Sequence, residues 1–130
     1  GKRTPLPDAA IEELIVEHSR ARGIERRTID DQEIVERCLF SMINEGAKIL
    51  AEGVAARPVD VDMVWLNGYG FPPWRGGPLF YADQLGLGRV LATIENYCER
   101  FGPDFWTPAP LLQELVASGR TFYPRRLLPE

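Results

Sequence analysis

The stretch from Asp30 to Gly53 constrains the fold most, because it predicts one long helix with a broad apolar face. Asp30 suits the N-cap of this helix and Gly53 its end. Apolar or small residues recur at helical spacing at Val35, Leu39, Met42, Gly46 and Ile49. The predicted polar side carries Glu33, Arg37, Asn44, Lys48 and Glu52. Other helices must cover the apolar face, and Gly46 allows one of them to approach closely.

Helical periodicity with matching end signals predicts the remaining elements as well. The predicted helices cover residues 8–22, 58–67, 78–86, 87–102 and 107–119. Thr107 is the predicted N-cap of the last helix, with Pro108 at its first position. No stretch alternates with a period of two, so we expect an all-α fold of five or six helices. We expect one domain over residues 1–130, with the first helix and a linker at 1–28 and a core at 30–119.

Composition and charge exclude several classes of function. The net charge is −4, and nucleic-acid binding would need a basic stripe that the chain lacks. The longest apolar runs fall far short of a membrane-spanning helix. Cys38 and Cys98 form no C-x-x-C pair and are expected to be reduced core residues, which favours a cytoplasmic protein. Arginine clusters at 20, 22, 26 and 27 and at 120, 125 and 126 fit either solvated helix ends or a phosphate site.

The ten residues "YGFPPWRGGP", from Tyr69 to Pro78, combine glycines, prolines and aromatics in one loop. They lack the lysine and hydroxyl of a P-loop, and Pro73 stands where a dinucleotide fingerprint needs its third glycine. The prolines fix the backbone while Phe71, Trp74 and Phe80 supply apolar surface, and Arg75 is placed to stack on an aromatic ring. We favour a rigid corner between helices that also faces another domain, over a ligand site.

No group of residues predicts a self-sufficient catalytic site. The single histidine, His18, has no nucleophile near it in the sequence and is expected to be a partly buried residue on a helix face. One histidine and two distant cysteines do not match the spacing of a zinc site. Asp60 and Asp62 fit the start of a helix better than an acid–base pair.

Residues 33–86, with "ARPVDVD" followed by "GYGFPPWRGGP", closely resemble the C-terminal helical domain of 3-hydroxyacyl-CoA dehydrogenases. That domain has the fold of the C-terminal domain of 6-phosphogluconate dehydrogenase. The resemblance is strongest to the second copy of the domain in the multifunctional proteins of fatty-acid β-oxidation, which are bacterial α-subunits and peroxisomal bifunctional enzymes. Because the chain begins with Gly1 rather than methionine, we interpret it as a piece of such a longer protein.

The resemblance implies a parent enzyme that oxidises (S)-3-hydroxyacyl-CoA to 3-ketoacyl-CoA with NAD, usually with enoyl-CoA hydratase activity in the same chain. In the family, NAD and the catalytic His–Glu pair belong to a Rossmann domain, so this segment is expected to hold no cofactor. Glu36 stands where the first copy of the helical domain has its catalytic asparagine, which implies a catalytically silent copy. Its expected partners are the Rossmann domain and the first helical copy. The candidate interface residues are Val35, Leu39, Met42, Gly46, Phe71, Trp74, Arg75 and Phe80.

Two alternatives to a purely structural copy stay open. Arg75, or Arg26 with Arg27, would contact CoA phosphates if the domain takes part in substrate binding. The outer face would dock a thiolase subunit or a membrane-associated complex if the domain is a partner-binding module. If the copy is purely structural, the isolated segment is expected to form a homodimer through the apolar face that normally meets the first copy. A bacterial protein of this kind is expected in the cytoplasm, and a eukaryotic one in the peroxisome.

Overall fold

A computed structural model describes residues 6–124, which form seven α-helices, one 3-10 turn and no strand. The helices are α1 (Ala9–Ala21), α2 (Asp31–Ala51), α3 (Pro58–Gly68), α4 (Pro78–Leu85), α5 (Leu87–Phe101), α6 (Pro103–Trp106) and α7 (Pro110–Ala117). The 3-10 turn, Pro73–Arg75, lies between α3 and α4. The predicted all-α class is confirmed. The predicted count omitted α6, because four residues are too short to show helical periodicity.

The described residues fall into two compact units, one ending at Asp31 and the other beginning at Gln32. The first contains α1, whose N-cap is Asp8, as expected: its carboxylate accepts a hydrogen bond from the Ala10 N–H at 2.9 Å. The apolar residues of α1, such as Leu14, are exposed. The prediction of a partly buried His18 is wrong, because this residue is exposed as well.

Helix α2 runs nearly as predicted, and its buried row overlaps the predicted face but is shifted around the helix. Gly46 is buried, as expected, and Leu39 and Ile49 are partly buried against the core. Phe40, Ile43 and Ala47 are almost completely buried, whereas Val35 is 51% exposed. Apolar residues occupy two sides of α2, and helical periodicity alone does not show which of these sides faces the core. The close approach predicted at Gly46 is confirmed: a β-carbon there would lie 3.1 Å from a Leu79 methyl group.

Asn44 lies in the core, so its predicted place on the polar side of α2 is wrong. Its side-chain amide donates to the Thr107 carbonyl at 2.9 Å, and its carbonyl oxygen accepts from the Ala109 N–H at 2.8 Å. These two bonds satisfy both ends of a buried amide. They also hold residues 107–109 extended between α6 and α7.

The last helix therefore begins at Pro110, and the prediction of Thr107 as its N-cap with Pro108 at its first position is wrong. The Thr107 hydroxyl donates to the Pro103 carbonyl at 2.7 Å, so this side chain closes α6 instead of capping α7. The expectation that both cysteines are core residues also fails for Cys38, which is exposed, while Cys98 is partly buried.

The core of the second unit forms where α2, α4, α5 and α7 meet. Its least exposed side chains are Phe40, Ile43, Leu79, Val90, Ile94 and Leu112. On α5, Val90, Ile94 and Tyr97 are buried on the side that faces this core. The start of α4 belongs to this core through Leu79, and the residues that lead into α4 form the candidate site.

Candidate functional site

The corner, residues 69–77, is a stiff turn that joins α3 to α4. The Phe71 N–H donates to the Trp65 carbonyl at 3.1 Å, which ties the corner to the end of α3. Within the corner, the Arg75 N–H donates to the Pro72 carbonyl at 2.9 Å. Gly70, Gly76 and Gly77 all have positive φ angles, which L-residues with side chains rarely adopt. The predicted corner between two helices is confirmed.

Asp62, in the second turn of α3, anchors the far end of the corner. Its side chain is 1% exposed. Its Oδ1 accepts from the Leu79 N–H at 2.8 Å, and its Oδ2 accepts from the Phe80 N–H at 3.0 Å. These are orphan donors in the first turn of α4, so Asp62 caps a neighbouring helix. The expectation that Asp62 serves the start of its own helix is therefore wrong.

Asp60 lies at the start of its own helix, as was expected of both carboxylates. It lies in the first turn of α3, and its two oxygens accept from the Arg57 guanidinium at 2.7 and 3.2 Å. This ion pair lowers the pKa of Asp60 through the hydrogen bonds from Arg57. Asp60 and Asp62 thus face different partners and form no acid–base pair.

Gly77 is required by the position of Asp62. A β-carbon on Gly77 would lie 2.3 Å from the Asp62 Cβ and 2.4 Å from its Cγ, closer than any real contact. The φ angle of Gly77 is also +100°. Both the backbone conformation and the lack of space therefore allow only glycine here. The side chain of Asp62 fills the space that this glycine leaves, so Gly77 offers no empty backbone cradle for a phosphate.

Residues 121–124, which we call the C-terminal strap, return from α7 to α4. Asp83 of α4 accepts from the Phe122 N–H at 3.1 Å and from the Tyr123 N–H at 2.8 Å. The Tyr123 hydroxyl donates to Oδ2 of Asp62 at 2.6 Å. Burial, and then the Asp62 carboxylate, raise the pKa of Tyr123 far above its usual range, so the hydroxyl remains a donor.

The corner presents large apolar side chains to solvent. Trp74 is 82% exposed at the tip of the 3-10 turn, and Tyr69 is 71% exposed. Phe80, at the start of α4, is 40% exposed. The Arg75 guanidinium lies 4.8 Å from the centre of the Tyr81 ring, as the predicted aromatic stacking requires. A fixed backbone with exposed aromatic rings is well suited to contact another protein surface.

A second exposed apolar surface lies on the outer side of α3. This helix is apolar on nearly every side, a pattern typical of a helix that is fully covered. Its outer residues Met63 and Val64 are nevertheless 50% and 57% exposed, and Val54 beside them is 76% exposed. A groove of about 470 Å³ runs here between Val54, Val64 and Trp65.

The candidate interface residues occupy three kinds of position. Gly46 and Phe71 are buried by other residues of this chain, so they stabilise the fold beneath the surface. Leu39 and Met42 are partly buried on α2, beside the exposed Val35. The exposed members of the set are Val35, Trp74, Arg75 and Phe80. Whether these side chains contact a partner stays a prediction.

Glu36 is an acceptor in a network between α2 and α5. Its Oε1 accepts from Arg89 at 2.7 Å and from Gln32 at 2.9 Å, and its Oε2 accepts from the Tyr97 hydroxyl at 3.4 Å. The Glu36 side chain is 15% exposed. With a cation and two further donors around it, the carboxylate is held in place as a structural tie. Nothing in this arrangement holds a reacting atom.

The described part of the chain offers no ligand set for a metal and no helix able to cross a bilayer. No group of three or more His, Cys, Asp or Glu side chains comes together within residues 6–124. None of the helices in that range combines the length and the apolar character that a membrane span needs. Arg26 is exposed, and Arg27 donates to the Thr28 carbonyl at 3.2 Å. Arg125 and Arg126 lie outside the described residues.

Sequence comparison connects this arrangement to known proteins. The family model for the 3-hydroxyacyl-CoA dehydrogenase C-terminal domain matches residues 34–123. A peroxisomal bifunctional enzyme from Danio rerio is 47% identical over 121 residues, which are 92% of this chain and 17% of that protein. The peroxisomal bifunctional enzyme from Homo sapiens is 43% identical over 119 residues, which are 90% of this chain and 16% of that protein.

Bacterial proteins are similar over the same region. A fatty acid oxidation complex subunit alpha from Psychrobacter arcticus is 36% identical over 123 residues, which are 95% of this chain and 16% of that subunit. The chain thus spans about a sixth of the length of these relatives. The match covers the corner, its Asp62 anchor and the strap as far as Tyr123.

Proposed function

The chain belongs to the 3-hydroxyacyl-CoA dehydrogenase C-terminal domain family, and we propose that it is the structural interface domain of a multifunctional fatty-acid β-oxidation enzyme. The whole enzyme oxidises the C3 hydroxyl of an (S)-3-hydroxyacyl-CoA to a ketone and passes the hydride to NAD. It also hydrates enoyl-CoA in the same chain. In a eukaryote we expect it in the peroxisome, as the names of the relatives suggest, and in a bacterium in the cytoplasm.

In this proposal, NAD and the catalytic residues belong to other domains of the enzyme. The glycines of the corner do not suit a dinucleotide, because Asp62 and Phe80 fill the space beside Gly77 and Gly76. Glu36, at the position of the family's catalytic asparagine, is held by Arg89 and is not free to orient a substrate. The role of this domain is therefore to support the catalytic half through contact.

One observation carries the proposal: a tryptophan that is 82% exposed stands in a corner where Pro72 and Pro73 fix the backbone φ angles. Exposing so large an apolar ring is unfavourable unless another surface covers it, and buried tryptophans dominate many interfaces. Val35 on α2 and the outer side of α3 add further uncovered apolar area. We assign these surfaces to contacts with the first helical copy and the Rossmann domain of the same enzyme.

The test uses the full-length enzyme that contains this chain. Trp74→Ala is expected to lower the dehydrogenase rate, followed as NADH formation from a 3-hydroxyacyl-CoA, while the hydratase rate stays unchanged. The matched control is Phe105→Ala, since Phe105 is 80% exposed and belongs to α6 rather than to the corner. A hot-spot tryptophan contributes about 2 kcal/mol or more to a contact. We therefore expect the melting temperature of the dehydrogenase half to fall with Trp74→Ala and not with Phe105→Ala.

Other results would support the alternative roles. If Trp74→Ala leaves both rates and the melting temperature unchanged, the interface proposal is wrong. A higher KM for acyl-CoA in Arg75→Ala, with kcat unchanged, would indicate contact with the CoA phosphates. If a surface variant keeps its dehydrogenase and hydratase activities but no longer co-purifies with a thiolase subunit, this result would indicate that the domain is a docking module. A change from dimer to monomer in Val35→Asp would indicate pairing of two copies.

A further inference from the structure

The C-terminal strap and the first turn of α4 share one acceptor, although they lie 40 residues or more apart in the chain. Oδ2 of Asp62 accepts from the Phe80 N–H at 3.0 Å and also from the Tyr123 hydroxyl at 2.6 Å. An ionised carboxylate in a buried position needs several donors to replace the water it has lost. Each donor therefore stabilises the carboxylate orientation that the other donor requires.

Aromatic packing adds a second connection between the same two segments. The rings of Phe80 and Tyr123 meet edge to face, with centroids 5.7 Å apart. The other side of Phe80 packs at the corner, where a β-carbon on Gly76 would lie 2.5 Å from its ring. Phe80 is thus held between Gly76 and Tyr123, and its ring is the part of α4 that adjoins the exposed surface of the corner.

The strap itself has its own attachment to α4. Both oxygens of Asp83 accept amide protons of the strap, from Phe122 and Tyr123. The Phe122 side chain is 7% exposed and belongs to the core. Asp83 and Phe122 therefore attach the strap to the rest of the fold. The Tyr123 hydroxyl adds a hydrogen bond from the strap to Asp62.

From this geometry we infer that the C-terminal strap is a latch for the corner: its docking fixes the first turn of α4 and the exposed aromatic surface beside it. When Tyr123 leaves Asp62, the carboxylate loses a short bond, and Phe80 loses the ring that supports it. The first turn of α4 then opens more often, and Phe80 moves relative to Trp74. This coupling joins two segments of the same chain, so it does not depend on which partner the corner contacts.

The test is amide hydrogen exchange on the 130-residue chain, resolved by residue with NMR. Tyr123→Phe removes only the hydroxyl, and we expect exchange at Leu79 and Phe80 to accelerate about tenfold or more, the effect of losing one charge-assisted hydrogen bond. Exchange at Ile94, in the middle of α5, is the internal reference for global unfolding. The matched control is Tyr97→Phe, which removes a hydroxyl that donates to the carboxylate of Glu36 instead.

A second variant tests the direction of the coupling. Asp83→Asn weakens only the strap's attachment, because it replaces one of the two acceptor oxygens with an amide. We expect faster exchange at Phe122 and Tyr123 and, through the latch, at Leu79 and Phe80 too. If Asp83→Asn accelerates the two strap amides alone, or if Tyr123→Phe changes all amides by the same factor as Ile94, the latch is refuted.

Discussion

Replacing Gly77 by alanine tests the central contact of the corner. The new β-carbon would lie 2.3 Å from the Asp62 Cβ, so the two segments must move apart. The backbone at Gly77 has φ +100° and ψ 165°, a region that costs a residue with a side chain about 1–3 kcal/mol. Moving Asp62 also weakens its bonds to the Leu79 and Phe80 amides, and each buried donor left unpaired costs about 1–3 kcal/mol.

The expected total for Gly77→Ala is therefore about 3–9 kcal/mol, a large part of the 5–15 kcal/mol that usually stabilises a domain. Gly70→Ala provides the matched control. Gly70 also has a positive φ, +71°, but nothing lies within 4 Å of the position of its β-carbon. This variant carries only the backbone term, about 1–2 kcal/mol.

Urea unfolding followed by circular dichroism measures both variants, with the slope of the transition used to check that two-state behaviour is kept. We expect Gly77→Ala to lose about 2–7 kcal/mol more than Gly70→Ala, or to fail to fold under conditions in which Gly70→Ala folds. Equal midpoints for the two variants would refute the reasoning. In that case the position of Asp62 would not be what requires glycine at residue 77.

Three further predictions follow from other parts of the structure. Asn44→Leu should lower the free energy of unfolding by about 2–4 kcal/mol, because the Thr107 carbonyl and the Ala109 N–H lose their partner, and urea unfolding measures this loss. Burial raises the pKa of Asp83, so between its unfolded and folded pKa values the native state binds more protons. The free energy of unfolding should therefore fall as pH rises through that window, relative to Asp83→Asn; a rise would contradict the assignment. Trp74→Ala should change the stability of the 130-residue chain by less than about 0.5 kcal/mol, since the ring is exposed.

Much of the secondary structure could be read from local signals. Helices α2, α3, α4 and α5 lie within a few residues of their predicted bounds, because amphipathic periodicity and end residues act over one or two turns. The motif that carries the family resemblance was equally local, since it is continuous from "ARPVDVD" to "GYGFPPWRGGP". The glycines and prolines of that motif also indicated a rigid corner.

The roles of the polar core residues could not be read in this way. Asn44 sits in a helix among charged residues, and nothing local distinguishes it from a solvated side chain. Its partners are 63 and 65 residues away, and only the tertiary fold brings the segment before α7 within hydrogen-bond distance of α2. Thr107 was misassigned for the same reason, because Asn44 holds the backbone beside it.

By itself, the sequence determined the all-α class, most of the helices and the corner, because helix periodicity, the fixed φ of proline and the positive φ open to glycine act within a few residues. Only the tertiary structure decided that Asp62 caps α4, why Gly77 must be glycine and how Tyr123 reaches the same carboxylate. A carboxylate near the start of a helix can accept hydrogen bonds from the N–H groups of its own helix. It can equally accept them from any other donor that packing brings close to it. The chain's long-range packing selects the partner, and that selection has no signature in local sequence.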